Sequence, residues 1–172
     1  DRGVSSKLNI RQARQAGFEV LCGLALNTAL KREADTVLTE EIVSLKHRVR
    51  LKSSTFYVRK KKYRAEGMSG TIVVCLNERE RHAIRERRYD ELDRALELLK
   101  KKQPIKDGLR KYLKGNTVDQ EAVRKGERYD GISVIFSSRD LPEEEIVRGY
   151  FEKDRVEKSF RCMKGVLEMD RV

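Results

Sequence analysis

The sequence predicts an α/β fold, on three observations. Residues 1 to 24 read as strand, helix and strand at βαβ-like spacing. Residues 132 to 138 read as a buried strand that feeds an amphipathic helix, and between these ends lies a basic segment with strand-like alternation. A chain of 172 residues is long enough to bury a real core.

Each element has its own signal. DRGVSS reads as a strand end in which Gly3 loosens the turn, with Ser5 or Ser6 placed to cap the helix LNIRQARQAG and Gly17 placed to close it. FEVLCGL, 18–24, is then a short buried strand. From Ser44 to Ala65 there are nine Lys or Arg and no acidic residue, so this segment carries most of the net charge of +11. Its alternation at Phe56, Val58 and Tyr63, the GMSG turn and the following TIVVCLN predict a β-hairpin. A long helix over about 78–101 follows, with Ile84, Leu92, Ala95, Leu96 and Leu99 at helical spacing and Pro104 to stop it. DGLRKYLKG and DQEAVRKGERYDG are short, polar and turn-rich, and ISVIFSS is a buried strand by its branched and aromatic content. Asp140 as a capping side chain, Pro142 in the first turn and Glu143, Glu144 and Glu145 announce a helix that runs to about Met169. There is no internal repeat.

Composition narrows the function. A net charge of +11 calls for a polyanionic partner, with nucleic acid first and a membrane surface second. No stretch approaches the ~18 apolar residues that span a bilayer. The polar opening DRGVSSKLN does not resemble a signal peptide. An Asp-Arg-Gly start in place of Met predicts that further sequence precedes it. Cys22, Cys75 and Cys162 are few, separate and outside any CxxC pair, which fits a reducing compartment and neither a disulfide frame nor a zinc site. His47 and His82 have no ligand partner at metal spacing and read as surface residues, while Ser5 and Ser6 read as caps with no base placed to activate them.

The last helix carries the main candidate site. At 100° per residue, Tyr150, Lys153, Glu157, Arg161 and Lys164 fall within an arc of about 80°. Val156, Phe160, Met163 and Leu167 form an adjoining apolar stripe that would seat the helix on a core. A carboxylate among three cations and a tyrosine can bind a metal while its neighbours hold phosphates. Glu and Lys at this spacing also occur on an ordinary solvated helix, Tyr150 suits half-buried packing, and Lys164 suits the helix C-terminus.

Tyr150, Lys153, Glu157 and Lys164 match the spacing Y-x2-R-x3-E-x6-K, with lysine at 153 in place of arginine. This resembles the signature of insertion-sequence transposases of the DDE superfamily. The run YDGISVIFSSRDLPEEEIVRGYFEKDRVEKSFRCMKG resembles the family's strand, acidic helix start and glutamate helix, and DRGVSSKLNIRQARQAGFEVLCGLAL resembles its second-aspartate segment.

The resemblance implies an RNase H-like mixed sheet flanked by helices, incomplete because its opening strands and first aspartate lie upstream. Residues 1–26 and 138–172 would form the catalytic core, and 27–137 a β-rich and helical insertion before the last catalytic helix. Asp1 and Glu157 would be catalytic and would hold Mg²⁺ or Mn²⁺, cations that suit hard oxygen ligands and two-metal phosphodiester chemistry. Tyr150, Lys153 and Lys164 would contact DNA phosphates, with Arg161 added by its place on the same arc; a lysine at 153 keeps the charge but loses a bidentate fork. The implied activity is cleavage at transposon ends and strand transfer into target DNA by a homodimer at the prokaryotic nucleoid, in the cytoplasm, with no membrane and no small-molecule substrate. This piece alone would be inactive. An aromatic residue of the insertion often receives a flipped base in this branch; with no tryptophan present, Tyr57, Tyr63 or Phe56 would serve. The alternatives are a non-catalytic, basic nucleic-acid-binding remnant of a transposase and a host nuclease of the same fold.

Overall fold

The computed structural model describes residues 7–51, 54–65 and 67–152. In chain order the first elements are α1 (Lys7–Gln15), β1 (Leu21–Leu24), α2 (Thr28–Asp35), 3₁₀ turns at Glu40–Ile42 and Leu45–His47, and the strands β2 (Arg48–Leu51), β3 (Ser54–Ala65) and β4 (Met68–Leu76). They are followed by α3 (Glu78–Lys100), α4 (Asp107–Arg110), β5 (Leu113–Lys114), β6 (Thr117–Val118), α5 (Gln120–Glu127), β7 (Ile132–Ser137) and a helix, α6, described over 143–152. The chain divides into two compact units, one of residues up to Cys75 together with those from Ser133 onward, the other Leu76–Ile132.

Helix α1 ends where Gly17 was expected to close it. Gly17 takes φ of +81°, and the Phe18 and Gly17 amides donate to the Ala13 and Arg14 carbonyls at 2.9 and 3.0 Å, a Schellman closure that a side chain at position 17 would strain. The chain then forms β1, which is shorter and less buried than predicted: only Leu21–Leu24 is strand, all four residues are half-buried, and Phe18 is 65% exposed. Helix α2 begins at Asn27, whose Oδ1 accepts from the Leu30 amide at 2.9 Å.

The sheet has the order β1-β7-β4-β3-β2. Its strands are all antiparallel, which corrects the mixed sheet expected from the resemblance. Short connections between β2 and β3 and between β3 and β4 allow only antiparallel pairing. Val49 lies opposite Phe56, and Gly23 lies opposite Ile135. The β3–β4 hairpin, predicted from its alternation, turns at Gly67 with φ of +77°.

Strand alternation gives the sheet two buried faces. On one, Val49, Phe56, Val58, Val73, Cys75 and Ile135 pack with Ile146 and Val147 of α6. On the other, Tyr63 meets Phe136 edge-on at 6.4 Å, and Lys61 pairs with Glu33 of α2. Burial on both faces explains why Ile72 through Leu76 are fully buried without interruption.

The unit Leu76–Ile132 is built on α3, the long helix read from the sequence. Asn77 caps it by accepting from the Glu80 amide at 3.0 Å, and the chain leaves it through Lys102 at φ 55° shortly before Pro104. The two segments read only as polar and turn-rich hold α4, a small β5–β6 hairpin and α5, whose first amides are bonded by Asp119 at 3.1 Å. Leu92, Ala95, Leu109 and Val123 form the core of this unit. Beside it Arg88 grips Asp130 with two hydrogen bonds at 2.7 and 2.6 Å; Asp130 is 6% exposed. The Asp130 hydrogen bond pushes the Arg88 guanidinium above its ordinary range, against the opposing effect of burial.

Candidate functional site

The candidate site is the start of α6 and the strands beneath it. Strand β7 ends by continuing its pairing: the Ser138 amide donates to the Val20 carbonyl, and the Val20 amide donates to Ser138 Oγ, both at 2.9 Å. The chain then turns and α6 begins, with the Ile146 amide donating to the Pro142 carbonyl at 3.2 Å. Asp140 does not act as the predicted cap. Its carboxylate instead accepts from Lys60 Nζ at 2.7 Å, which holds its pKa below the usual range, and Lys60 Nζ also donates to the Leu141 carbonyl at 3.1 Å. Glu143 accepts from the Lys60 backbone amide at 2.6 Å. Strand β2 pairs with β3 only over residues 54 to 57, so Lys60 lies beyond their pairing. Glu143 thus satisfies a backbone donor there and fastens the helix start to the sheet.

Four residues of α6 join the apolar cluster on the sheet. Ile146 and Val147 are fully buried, and Tyr150 and Phe151 are half-buried against the same cluster. Phe151 stacks on Phe56 with centroids 4.6 Å apart, and Tyr150 meets Phe151 edge-on at 5.2 Å. The Tyr150 hydroxyl lies directly over Gly23 of β1, where a Cβ would overlap it and would stand 3.0 Å from Cζ. Gly149 is similarly close to β1, since a Cβ there would be 3.1 Å from Leu21 Cδ2. A glycine on each element therefore brings helix and strand together.

Of the predicted site residues, only Tyr150 lies within the described part of the chain. It is seated on the core with its hydroxyl toward β1, the half-buried packing position that its place on the helix allowed. Asp1, Lys153, Glu157, Arg161 and Lys164 lie outside the described residues, as does the rest of the stretch predicted as helix, up to Met169. Among the described residues no group of three or more His, Cys, Asp or Glu is arranged to hold a metal ion, and no helix is long and apolar enough to cross a membrane.

The basic hairpin divides its cations between the two faces of the sheet. Lys60, Lys62 and Arg64 alternate with the Phe56 and Val58 side, and Arg48, Arg50, Arg59 and Lys61 take the other. Lys60 and Lys61 are neutralised by Asp140 and Glu33. Arg48, Arg50, Arg59, Lys62 and Arg64 have no ion pair among the described residues. Of the three aromatic residues proposed to receive a base, Phe56 and Tyr63 are core, at 5% and 6% exposure. Tyr57 alone is half-exposed, opposite Arg48 in the β2–β3 register.

Ser5, Ser6 and Cys162 lie outside the described residues, and the remaining described candidates behave as structural groups. His82 is exposed and lies 3.9 Å from Glu86 one turn along α3, and His47 is half-buried. Burial pushes the Cys75 thiol up to about 12, so it stays protonated and inert, and Cys22 is half-buried. Comparison with protein-family models, with curated proteins and with solved structures finds no match to this chain.

Sequence reasoning missed two positions that set this site. Gly23 carried a usable signal, because a glycine inside a strand pattern marks a bulge or a close approach. Lys60 carried none: nothing in a run of lysines tells which one meets an acid eighty residues on.

Proposed function

We propose that this chain is the C-terminal part of the catalytic domain of a DDE transposase. The observation that carries the reading is the spacing of Tyr150, Lys153, Glu157 and Lys164, which begins on a helix seated against a central sheet. Asp1, in the D-R-G box before α1, supplies the matching acid. The net charge of +11 supports DNA as the partner.

The donor set suits the implied cation. Asp1 and Glu157 offer hard carboxylate oxygens of the kind Mg²⁺ or Mn²⁺ prefers. Bound there, divalent cations would supply activation of a nucleophilic oxygen and neutralisation of charge on the leaving oxygen. Lys153, Arg161 and Lys164 would hold phosphates at the element's end, and Tyr150 would position their helix on the sheet. Cleavage forms a bond from a water oxygen to phosphorus and breaks the bond to the 3′ oxygen, which leaves as a hydroxyl. In joining, that hydroxyl attacks a phosphorus of the target and releases a new 3′ end. A homodimer would pair the two ends in the prokaryotic cytoplasm, at the nucleoid.

The test is a strand-transfer assay of the full-length protein on its own flanking DNA. Glu157→Gln is expected to abolish metal-dependent cleavage and to leave DNA binding largely intact. Cleavage retained in that variant rules the assignment out, and a reading frame with no upstream aspartate on a strand favours the non-catalytic remnant.

A further inference from the structure

The cations of β2 and β3 that face away from α6 form a surface with its own chemistry. Arg48 and Arg50 are exposed and lie on the same side of β2, roughly 6.8 Å apart at the rise of an antiparallel strand. Arg59 is on the same side of β3, two residues from Tyr57, which is the cross-strand partner of Arg48. Three arginines thus stand on one face at a corner of the sheet, and none has an ion pair among the described residues. Arg59 makes only a long hydrogen bond, 3.4 Å, to Thr39 Oγ1. Glu41, in the 3₁₀ turn that packs on β3, pairs with none of them.

Ordinary stability does not account for this arrangement. Like charges on one strand face repel each other, at a cost relative to neutral side chains. A salt-bridged face would relieve that cost, as Lys61 does with Glu33 next to it. Guarding a strand edge against pairing is a task that lysine performs as well. Arginine differs from lysine in presenting a planar fork that fits a phosphate with two hydrogen bonds, and i, i+2 spacing sets successive forks about as far apart as successive phosphates of one nucleic-acid strand.

We propose that Arg48, Arg50 and Arg59 form a phosphate-binding face for duplex DNA, on the side of the sheet opposite α6. The choice of DNA among polyanions rests on the transposase reading; the presence of a phosphate-binding face does not. The contacts are to the backbone, so binding here is independent of base sequence and strongly dependent on salt.

The experiment uses the whole chain and a fluorescein-labelled duplex of random sequence, with anisotropy titrations over a series of salt concentrations. Each neutralised phosphate contributes about 0.9 to the slope of log K against log salt, so Arg48→Ala, Arg50→Ala and Arg59→Ala together should reduce the slope by roughly 2.7. The ratio of affinities at about 50 and 200 mM salt should then shrink by roughly 40-fold. The corresponding triple lysine variant, which keeps the charge, should retain the slope and lose affinity. A control variant with Lys100, Lys101 and Lys125 changed to Ala should keep the slope within about 1.

An unchanged slope in the arginine-to-alanine variant overturns the proposal. So does an equal loss in the control, which would mean that charge acts without a defined face, or an equal loss in the lysine variant, which would mean that the arginines act through folding. Loss of binding to phosphatidylserine vesicles with DNA binding unchanged would assign the face to a membrane instead. If the slope falls as expected but the full-length protein neither cleaves nor joins DNA, the face stands and the transposase reading fails. If it cleaves and joins with an unchanged slope, the reading stands and the face fails.

Discussion

Gly23→Ala tests how α6 is held on the sheet. Gly23 has an ordinary strand conformation and no positive φ, so the backbone accepts alanine without strain. The obstacle is Tyr150, whose hydroxyl occupies the space of the new Cβ and whose ring carbons lie 3.0 and 3.4 Å from it. Overfilling a packed site costs about 1–3 kcal/mol. Replacing glycine also narrows the unfolded ensemble, which returns about 0.4–1 kcal/mol. The net expectation is a loss of about 1–2 kcal/mol, or a fall in melting temperature of roughly 2–8 °C for a chain of this length. In a Tyr150→Ala background the obstacle is gone and only the unfolded-state gain remains, so the same Gly23→Ala change should raise the melting temperature by roughly 1–3 °C. Scanning calorimetry of the four proteins completes the double-mutant cycle. If Gly23→Ala has the same effect in both backgrounds, Tyr150 does not rest on Gly23 and the account of the helix seat is wrong.

Three further expectations concern stability. Gly131 takes φ of +68°, and a Cβ there would meet the Asn77 carbonyl oxygen and stand 2.7 Å from the Arg81 nitrogen, so Gly131→Ala should cost at least about 2 kcal/mol in urea unfolding. Asp130→Ala leaves the Arg88 guanidinium, 11% exposed, without its carboxylate and should cost roughly 3–5 kcal/mol, whereas Arg88→Leu with Asp130→Leu should cost much less; equal losses would show that the pair is not effectively buried. The Cys75 thiol, raised by burial to about 12, releases its proton more readily in the unfolded chain. Its contribution is therefore complete below about pH 8.5, the ordinary thiol value, and stability should decline as pH rises from there toward 12, a decline that Cys75→Ala should lessen.

Local signals in the sequence determined most of the elements. The apolar spacing before Pro104 specified α3, the alternation at Phe56 and Val58 with a turn at Gly67 specified the β3–β4 hairpin, and the branched residues of ISVIFSS specified β7. Gly17 specified the end of α1 because only its own φ was at issue. Elements held by caps in polar surroundings, α2 behind Asn27 and α5 behind Asp119, were harder to read because their apolar stripes are only two turns long. The tertiary structure alone decided the strand order, the antiparallel direction throughout, the burial of Tyr63 and Phe56, and which lysine of the basic run meets Asp140. Periodicity records that a face will be covered, but not by what: Gly23 is recognisable as the seat of Tyr150 only after β1 has paired with β7 and α6 has folded back across them.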